Sequence, residues 1–281
     1  MTTRVAMIGL GRMGGPMSDH VVAAGFDTAV YDVVPDAVAP RVAEGARAAT
    51  SPAAAAQGAT VVGIVVLDDA QATDVVTGPD GVLPALEPGA VVLIHTTVTL
   101  ETIHALADAA QRHGVVVLDA GISGGEVGAR AGTLLSLVGG PADAVEQARP
   151  VLMAFSKDVL HAGPLGAGMA LKLARNAVGY SWMHAVHEAA EIAHRSGVDL
   201  ALLERAVRET GTFEQAFTPI VLGGPEPLPA DAPAEQREGA AHVNRLADKD
   251  LDHTLALAEH LGVDLPGVRA VRAGFRRSMR I

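Results

Sequence analysis

The chain has 281 residues, 49% hydrophobic and 19% charged, with no cysteine and a formal net charge of −11. Such a composition belongs to a globular chain of one or two domains, not a disordered one. The missing cysteines exclude disulfides, thiolate catalysis and Cys-ligated zinc, and the acidic balance speaks against nucleic acid and anionic membranes as partners. No apolar run approaches the ~18 residues of a membrane span. The opening MTTRVAMIGLGRMGG lacks the long apolar region and cleavage site of a signal peptide, so a cytoplasmic location is expected. The one basic cluster, FRRSMRI at the C-terminus, reads as a solvated helix tail.

In chain order, short Val- and Ile-rich runs at 4–10, 28–32, 60–67, 89–96 and 114–122 predict buried strands. Ala-rich stretches between them, such as 35–46 and 100–114, predict helices. Residues 133–140 and 158–164 read as two more strands around a helix at 141–154. This alternation implies a mainly parallel sheet with helices on both faces, a Rossmann-type α/β domain over residues 1–163. After Pro164 the strand signal ends. Helical patterns cover 166–195, 200–210 and 242–262, so residues 164–281 are expected to form an all-α domain. The Pro-rich, acidic stretch 223–239 between the later helices reads as a long exposed loop.

The first strand runs into Gly9-Leu10-Gly11-Arg12-Met13-Gly14, a G-x-G-x-x-G spacing that opens a helix. Gly9 permits the tight turn, Gly11 a close backbone approach to a pyrophosphate, and Gly14 close helix–strand packing. Asp32, at the end of the second strand, is the acidic residue this arrangement uses for ribose hydroxyls. A carboxylate there repels a 2′-phosphate, and no Arg or Lys follows until Arg41, which predicts NAD over NADP. In GAGMALKLARN (166–176), Lys172 stands in an apolar helical run with Asn176 one turn on. A surface cation and a lysine tuned for proton transfer are both open readings. ISGG ends the strand at 114–122, where open α/β sheets bind ligands, and the Ser123 hydroxyl with glycine N–H groups makes a small anion site.

Three stretches together, GLGRMGGPM, DAGISGGEVGARAGTLLSLVGG (119–140) and GAGMALKLARN, resemble the β-hydroxyacid dehydrogenases. That family includes 3-hydroxyisobutyrate dehydrogenase, tartronate semialdehyde reductase and 6-phosphogluconate dehydrogenase. The resemblance covers nearly the whole chain, to ADKDLDHTLALAEHLGVDLP (247–266). It implies hydride transfer between NAD and a small hydroxy acid, with Lys172 as catalytic lysine and Asn176 holding substrate. It implies that Ser123, Gly124 and Gly125 take the substrate carboxylate. Val66, Leu67 and Thr97 would lie near the nicotinamide end of the cofactor, and Lys249 would close over the cleft. Homodimers or homotetramers are implied as well.

Three departures leave the particular acid open. Arg175 stands where the family often has Asn, Gly121 where a Pro usually precedes the serine loop, and His242 where Phe is common. Gly121 is expected to loosen that loop. Arg175 reads as a surface residue or a substrate-directed cation. The alternatives are a non-catalytic or repurposed NAD-binding relative, and an imine or aldehyde reductase, against which Lys172 and Asp32 argue. No metal site is expected: HEAAE at 187–191 misses the zinc spacing H-E-x-x-H by its last residue. His95 and His161, at predicted strand ends, are further candidates for a general base.

Overall fold

The structure is a computed structural model describing residues 3–221 and 223–281. It divides into two compact units, Met1–Asn176 and Ala177–Ile281. The family of helices and strands in the first unit begins with strand β1 (Arg4–Ile8), helix α1 (Gly14–Ala23), β2 (Asp27–Tyr31), α2 (Pro35–Ala43), β3 (Arg47–Ala48), α3 (Pro52–Ala56), β4 (Val61–Ile64) and α4 (Asp69–Thr77). A 3-10 turn at Leu83–Ala85 leads to β5 (Val91–Ile94), α5 (Leu100–Gln111), β6 (Val116–Ser123), α6 (Gly125–Ala131), β7 (Leu134–Gly139), α7 (Ala142–Phe155) and β8 (Ser156–Gly163). Helix α8 (Ala167–Arg195) starts in this unit and continues into the second.

The sheet order is β3-β2-β1-β4-β5-β6-β7-β8, parallel throughout except for the antiparallel β6–β7 pair. The seven expected strands are present; the addition is β3, two residues whose brevity leaves no periodic signal. Alternation along each strand divides the core between the two sheet faces. Val5 and Met7 of β1, with Val91 and Leu93 of β5, pack beneath α1 and α7. Ala6 and Ile8, with Val92 and Ile94, pack beneath α3, α4 and α5. Helix starts are capped where the sequence supplies an oxygen: Ser51, Asp68 and Thr99 accept from the N–H groups of Ala54, Gln71 and Thr102.

Helix α8 is capped from a distance. Asp119 of β6 has no exposed surface, and its Oδ1 and Oδ2 accept from the N–H groups of Gly166 (2.7 Å) and Met169 (2.6 Å). Close approach is possible because Gly139 and Gly168 lack side chains. A β-carbon at 139 would collide with Asp119 Oδ1, and one at 168 with the Leu137 carbonyl. Burial raises the Asp119 pKa against the opposing pull of those N–H groups.

The second unit continues α8 and adds α9 (Leu200–Glu209), α10 (Thr212–Gln215), α11 (Thr218–Val221), α12 (Ala234–Leu261) and α13 (Pro266–Ser278). Helix α12 starts at Ala234, within the segment expected to be a loop, so the irregular stretch ends at Pro233. Ala234-Glu235-Gln236-Arg237 are good helix formers, and the Pro-rich composition around them masked this start. Few of the described side chains here are buried, among them Glu188, Ala240, Asn244, Leu265 and Met279. Glu188 repeats the device seen at Asp119, accepting from the N–H groups of Gly267 (2.7 Å) and Val268 (2.8 Å) at the start of α13. No helix of the described residues is long and apolar enough to cross a membrane.

Replacing Asp119 tests its place in the fold. Asp119→Ala leaves two buried N–H donors without an acceptor, at about 1–3 kcal/mol each. Urea unfolding should therefore show a loss of about 3 kcal/mol or more. Asp119→Asn, which keeps one acceptor, should lose about 1–2 kcal/mol.

Candidate active site

The turn after β1 carries the first part of the site. Gly9 has φ +87°, a region costly for any other residue, and its N–H donates to the Tyr31 carbonyl at 3.0 Å. A β-carbon on Gly9 would collide with the Val65 carbonyl, and one on Gly14 with the Gly9 carbonyl. Gly11 differs: nothing in the protein lies within 4 Å of the place its β-carbon would take. That open space borders a cleft of about 600 Å³ lined by Gly9, Gly11, Arg12, Met13 and Gly14, by Asp32, and by Val66 and Leu67. Helix α1 opens onto it with no side-chain cap and no acidic residue in its first turn, so its positive end is available to an anion. Leu10 is buried and contributes its N–H, which donates to Asp32 Oδ2 at 2.6 Å.

Asp32 Oδ1 accepts from the Val34 N–H at 2.8 Å, so both carboxylate oxygens are tied to backbone at the cleft's edge. The next cation along the chain, Arg41, is turned away: its guanidinium meets Asp19 at 3.0 Å and the Gly15 carbonyl at 3.3 Å. The shape and polarity fit a dinucleotide. Phosphate would lie on the Gly11–Gly14 turn and a ribose at Asp32. Tyr31, Val65, Gln71, Asp74 and Val75 complete the walls. The last three come from α4 and its neighbourhood, which no motif marks.

A second cluster adjoins this cleft through consecutive residues at the end of β5. Thr96 Oγ1 accepts from the Val66 N–H at 2.9 Å and donates to the Val66 carbonyl at 3.1 Å. Its neighbour Thr97 accepts from Lys172 Nζ at 2.6 Å. Lys172 is 8% exposed, and burial lowers its pKa from the usual lysine value. Among the described residues no carboxylate forms an ion pair with it. Ser123 closes β6, followed by Gly124 (φ +129°) and Gly125 (φ +63°), a turn only glycine adopts readily. Asn176 lies one turn beyond Lys172, and its Oδ1 accepts from Arg175 at 3.3 Å. Lys249 lies on α12 in the second unit, exposed and 3.2 Å from Asp250.

Several expectations need correction. Gly121 does not loosen the serine loop: it is a buried residue within β6, in register with Leu137 of β7. His95 is closed off as a general base. It is 2% exposed, Nδ1–H donates to the Ala120 carbonyl at 2.7 Å, and burial pushes its pKa to about 4. His161 sits on the edge strand β8, where Nε2–H points to the carbonyls of Gly140 (2.9 Å) and Gly163 (3.0 Å). The C-terminal basic tail is not wholly solvated, because Arg280 is 9% exposed and donates to the Glu226 carbonyl. Within HEAAE, Glu188 faces inward to cap α13, while His187 and Glu191 stand 3.9 Å apart.

Asp119 is the residue that motif reading missed. Its one signal was a charged side chain closing the apolar run GVVVLD.

Residues 4–163 match the family described as the NAD binding domain of 6-phosphogluconate dehydrogenase. A 3-hydroxyisobutyrate dehydrogenase of Pseudomonas aeruginosa is 34% identical, over 94% of this chain and 88% of its own. An NAD-dependent L-serine dehydrogenase of the same organism is 35% identical, over 88% and 83%. Among solved structures, the 3-hydroxyisobutyrate dehydrogenase of Mycobacterium tuberculosis with L-serine superposes with a TM-score of 0.69 at 28% identity, over 100% of this chain and 96% of that one. The protein is an oxidoreductase with an NAD(P)-binding domain. The chain belongs to the β-hydroxyacid dehydrogenase family.

The two glycines separate cofactor binding from folding. Gly11→Ala should leave the melting temperature unchanged within about 1 °C, since its β-carbon meets nothing in the protein, yet weaken dinucleotide binding about tenfold or more. Gly9→Ala, strained at φ +87° and against Val65, should lower the melting temperature as well. Calorimetric titration and thermal melts of the two variants check this.

Proposed function

We propose that this protein is an NAD-dependent dehydrogenase of a small β-hydroxy acid, with Lys172 as its general acid/base. The observation that carries this reading is the buried Lys172 amine, paired with no carboxylate among the described residues and bonded to Thr97, whose neighbour Thr96 bonds Val66 in the wall of the dinucleotide cleft. L-Serine and 3-hydroxyisobutyrate, which appear in the names of similar proteins, share one pattern: a primary alcohol, a substituted carbon and a carboxylate. A substrate of that pattern suits this site. Its carboxylate would lie on the Ser123 hydroxyl and the N–H groups of Gly124 and Gly125, and its alcohol against Lys172 Nζ. Asn176 would orient the alcohol without ionising, and Arg175, bonded to its Oδ1, would hold the amide in place. The family resemblance assigns Lys249 to the cofactor.

The dinucleotide, when bound, supplies the two-electron acceptor for the alcohol carbon. Neutral Lys172 takes the hydroxyl proton as the alcohol becomes a carbonyl. In the reverse direction the ammonium polarises the carbonyl and returns the proton. The sign of the pH dependence follows. Burial disfavours the ammonium, so alcohol oxidation rises with pH through a midpoint below the usual lysine range, and carbonyl reduction falls through it.

General acid–base catalysis contributes about 10²–10⁴ in rate. Lys172→Ala should lose at least that in kcat, and Lys172→Arg should not recover it, because a guanidinium keeps its proton. NAD affinity should survive both changes. A Lys172→Ala enzyme with near-normal kcat would reduce this lysine to a structural cation. The two directions assayed across pH, with NAD binding followed by fluorescence, provide the measurement.

The preference for NAD rests on the Asp32 carboxylate and on Arg41 being held by α1. Asp32→Asn should shift the ratio of kcat/KM for NAD over NADP by on the order of 10²-fold toward NADP, as removal of one half-buried charge facing a phosphate would. A wild type that prefers NADP contradicts this assignment.

Self-association is part of the same reading. Helices α9 and α13 bury no residue, and Met183, Ile220 and Val221 are at least 70% exposed. Apolar surface of that extent calls for a partner, and a second copy is the partner always present. Sedimentation at low micromolar concentration that yields only monomer would count against it.

A further inference from the structure

The second unit holds a hollow of about 510 Å³, walled by the first half of α12, the end of α13 and residues 227–228. Arg237 and Arg245 line it from α12, Arg276 from α13, and Arg280 from the turn that follows. Among the described residues no Asp or Glu lines it, in a chain with 32 acidic residues against 21 basic ones.

Two of the four arginines hold the walls. Arg280 takes φ +64°, the one positive value outside glycine among the described residues and a costly one for a long side chain. From there Nε–H donates to the Glu226 carbonyl, and the Arg280 carbonyl accepts from the Leu228 N–H at 2.9 Å. Gly223 leaves room for the guanidinium: an added β-carbon would stand 3.0 Å from Arg280 Nη1. Arg237 donates to the carbonyls of Ala230 and Ala232, tying the same Pro-rich segment to α12. Arg245 and Arg276 do nothing of the kind. Both are exposed, and neither makes a hydrogen bond or ion pair with a described residue. Other arginines of this unit are matched to carboxylates, as in Arg205–Glu209, Arg208–Glu204 and Arg269–Asp264. Asp248, one turn beyond Asn244 on α12, is already bonded to Arg272 at 2.9 Å and to Asn244 Nδ2 at 2.9 Å.

A guanidinium presents a planar fork of donors that fits phosphate oxygens two at a time. Four forks in one hollow suit a group with more than one negative charge and several acceptor oxygens, as phosphate has and a single carboxylate has not. Pro227, Leu228 and Ala241 add apolar wall, and the volume is that of a small-molecule site, larger than a bare ion needs. We propose that this hollow binds a small organic phosphate, gripped by Arg245 and Arg276 between walls set by Arg237 and Arg280. The proposal does not depend on the acid–base reading of Lys172, which uses none of these residues.

Calorimetric titration with pyrophosphate and with glycerol 3-phosphate tests it, at physiological ionic strength. Each should bind, and pyrophosphate should raise the melting temperature. Replacing both free arginines, Arg245→Gln with Arg276→Gln, removes no bond within the protein, so the melting temperature without ligand should match the wild type. Affinity for both phosphates should fall about tenfold or more, as for lost hydrogen bonds to a charged group. Arg245→Lys with Arg276→Lys keeps the charge but not the fork and should recover only part of that loss. Equal pyrophosphate affinity in the wild type and the Gln variant overturns the proposal, because the phosphate would then bind elsewhere, the dinucleotide cleft included. Full recovery in the Lys variant overturns it as well, leaving a diffuse cationic field in place of a site. So does failure of both phosphates to bind at millimolar concentration, or binding of a Glu-rich peptide in their stead. If the Gln variant does not fold, the wild type decides: the Nε–H NMR signals of Arg245 and Arg276, assigned from the single Lys variants, should shift with pyrophosphate, and unmoved signals overturn it.

Discussion

A single buried carboxylate, Asp119, holds the two sides of the candidate site in one frame. It stands on β6 two residues before Gly121 and four before Ser123, and its oxygens bind the first N–H groups of α8, which carries Lys172 one turn on. The group that receives the substrate carboxylate in our reading and the group that moves the proton are thus fixed to opposite ends of one hydrogen-bonded unit. A buried acceptor with charge at a helix N-terminus is a strong tether, because the N–H groups have no other partner.

The same packing gives the lysine its character. The glycine contacts at 121, 139 and 168 bring α8 down closely on the sheet. Lys172 therefore sits in a poorly solvated place with one hydroxyl for company, and its charged form is disfavoured. His95 is kept neutral by the same desolvation, and the lysine's charge pushes in the same direction. An apolar side chain at 172 would avoid that desolvation cost, and an amine there suits the acid–base role we propose for it.

The helical unit follows one of these rules and not another. Glu188 caps α13 as Asp119 caps α8, so each unit fastens a helix start with a buried carboxylate. Yet its described residues bury little apolar area; α9 carries the exposed pair Arg208–Glu204, and Arg272–Asp252 joins α13 to α12. Exposed pairs of this kind add little stability.

The sequence by itself determined the alternation of strands and helices, the glycine turn, Asp32 and the helix bearing Lys172, because each is a local pattern: a period, a spacing, a residue type required by a turn. It did not show the start of α12, since Pro-rich composition hid good helix formers, nor β3, which is too short for a period. It also left His95 as a further candidate for a general base beside Lys172. Only the tertiary structure shows how differently the two are placed. Burial and hydrogen-bond partners belong to chain segments far apart in sequence, Ala120 beside His95 and Thr97 beside Lys172. Asp119 owes its place in the fold to what β6 meets across space, and no local pattern of residues records that meeting.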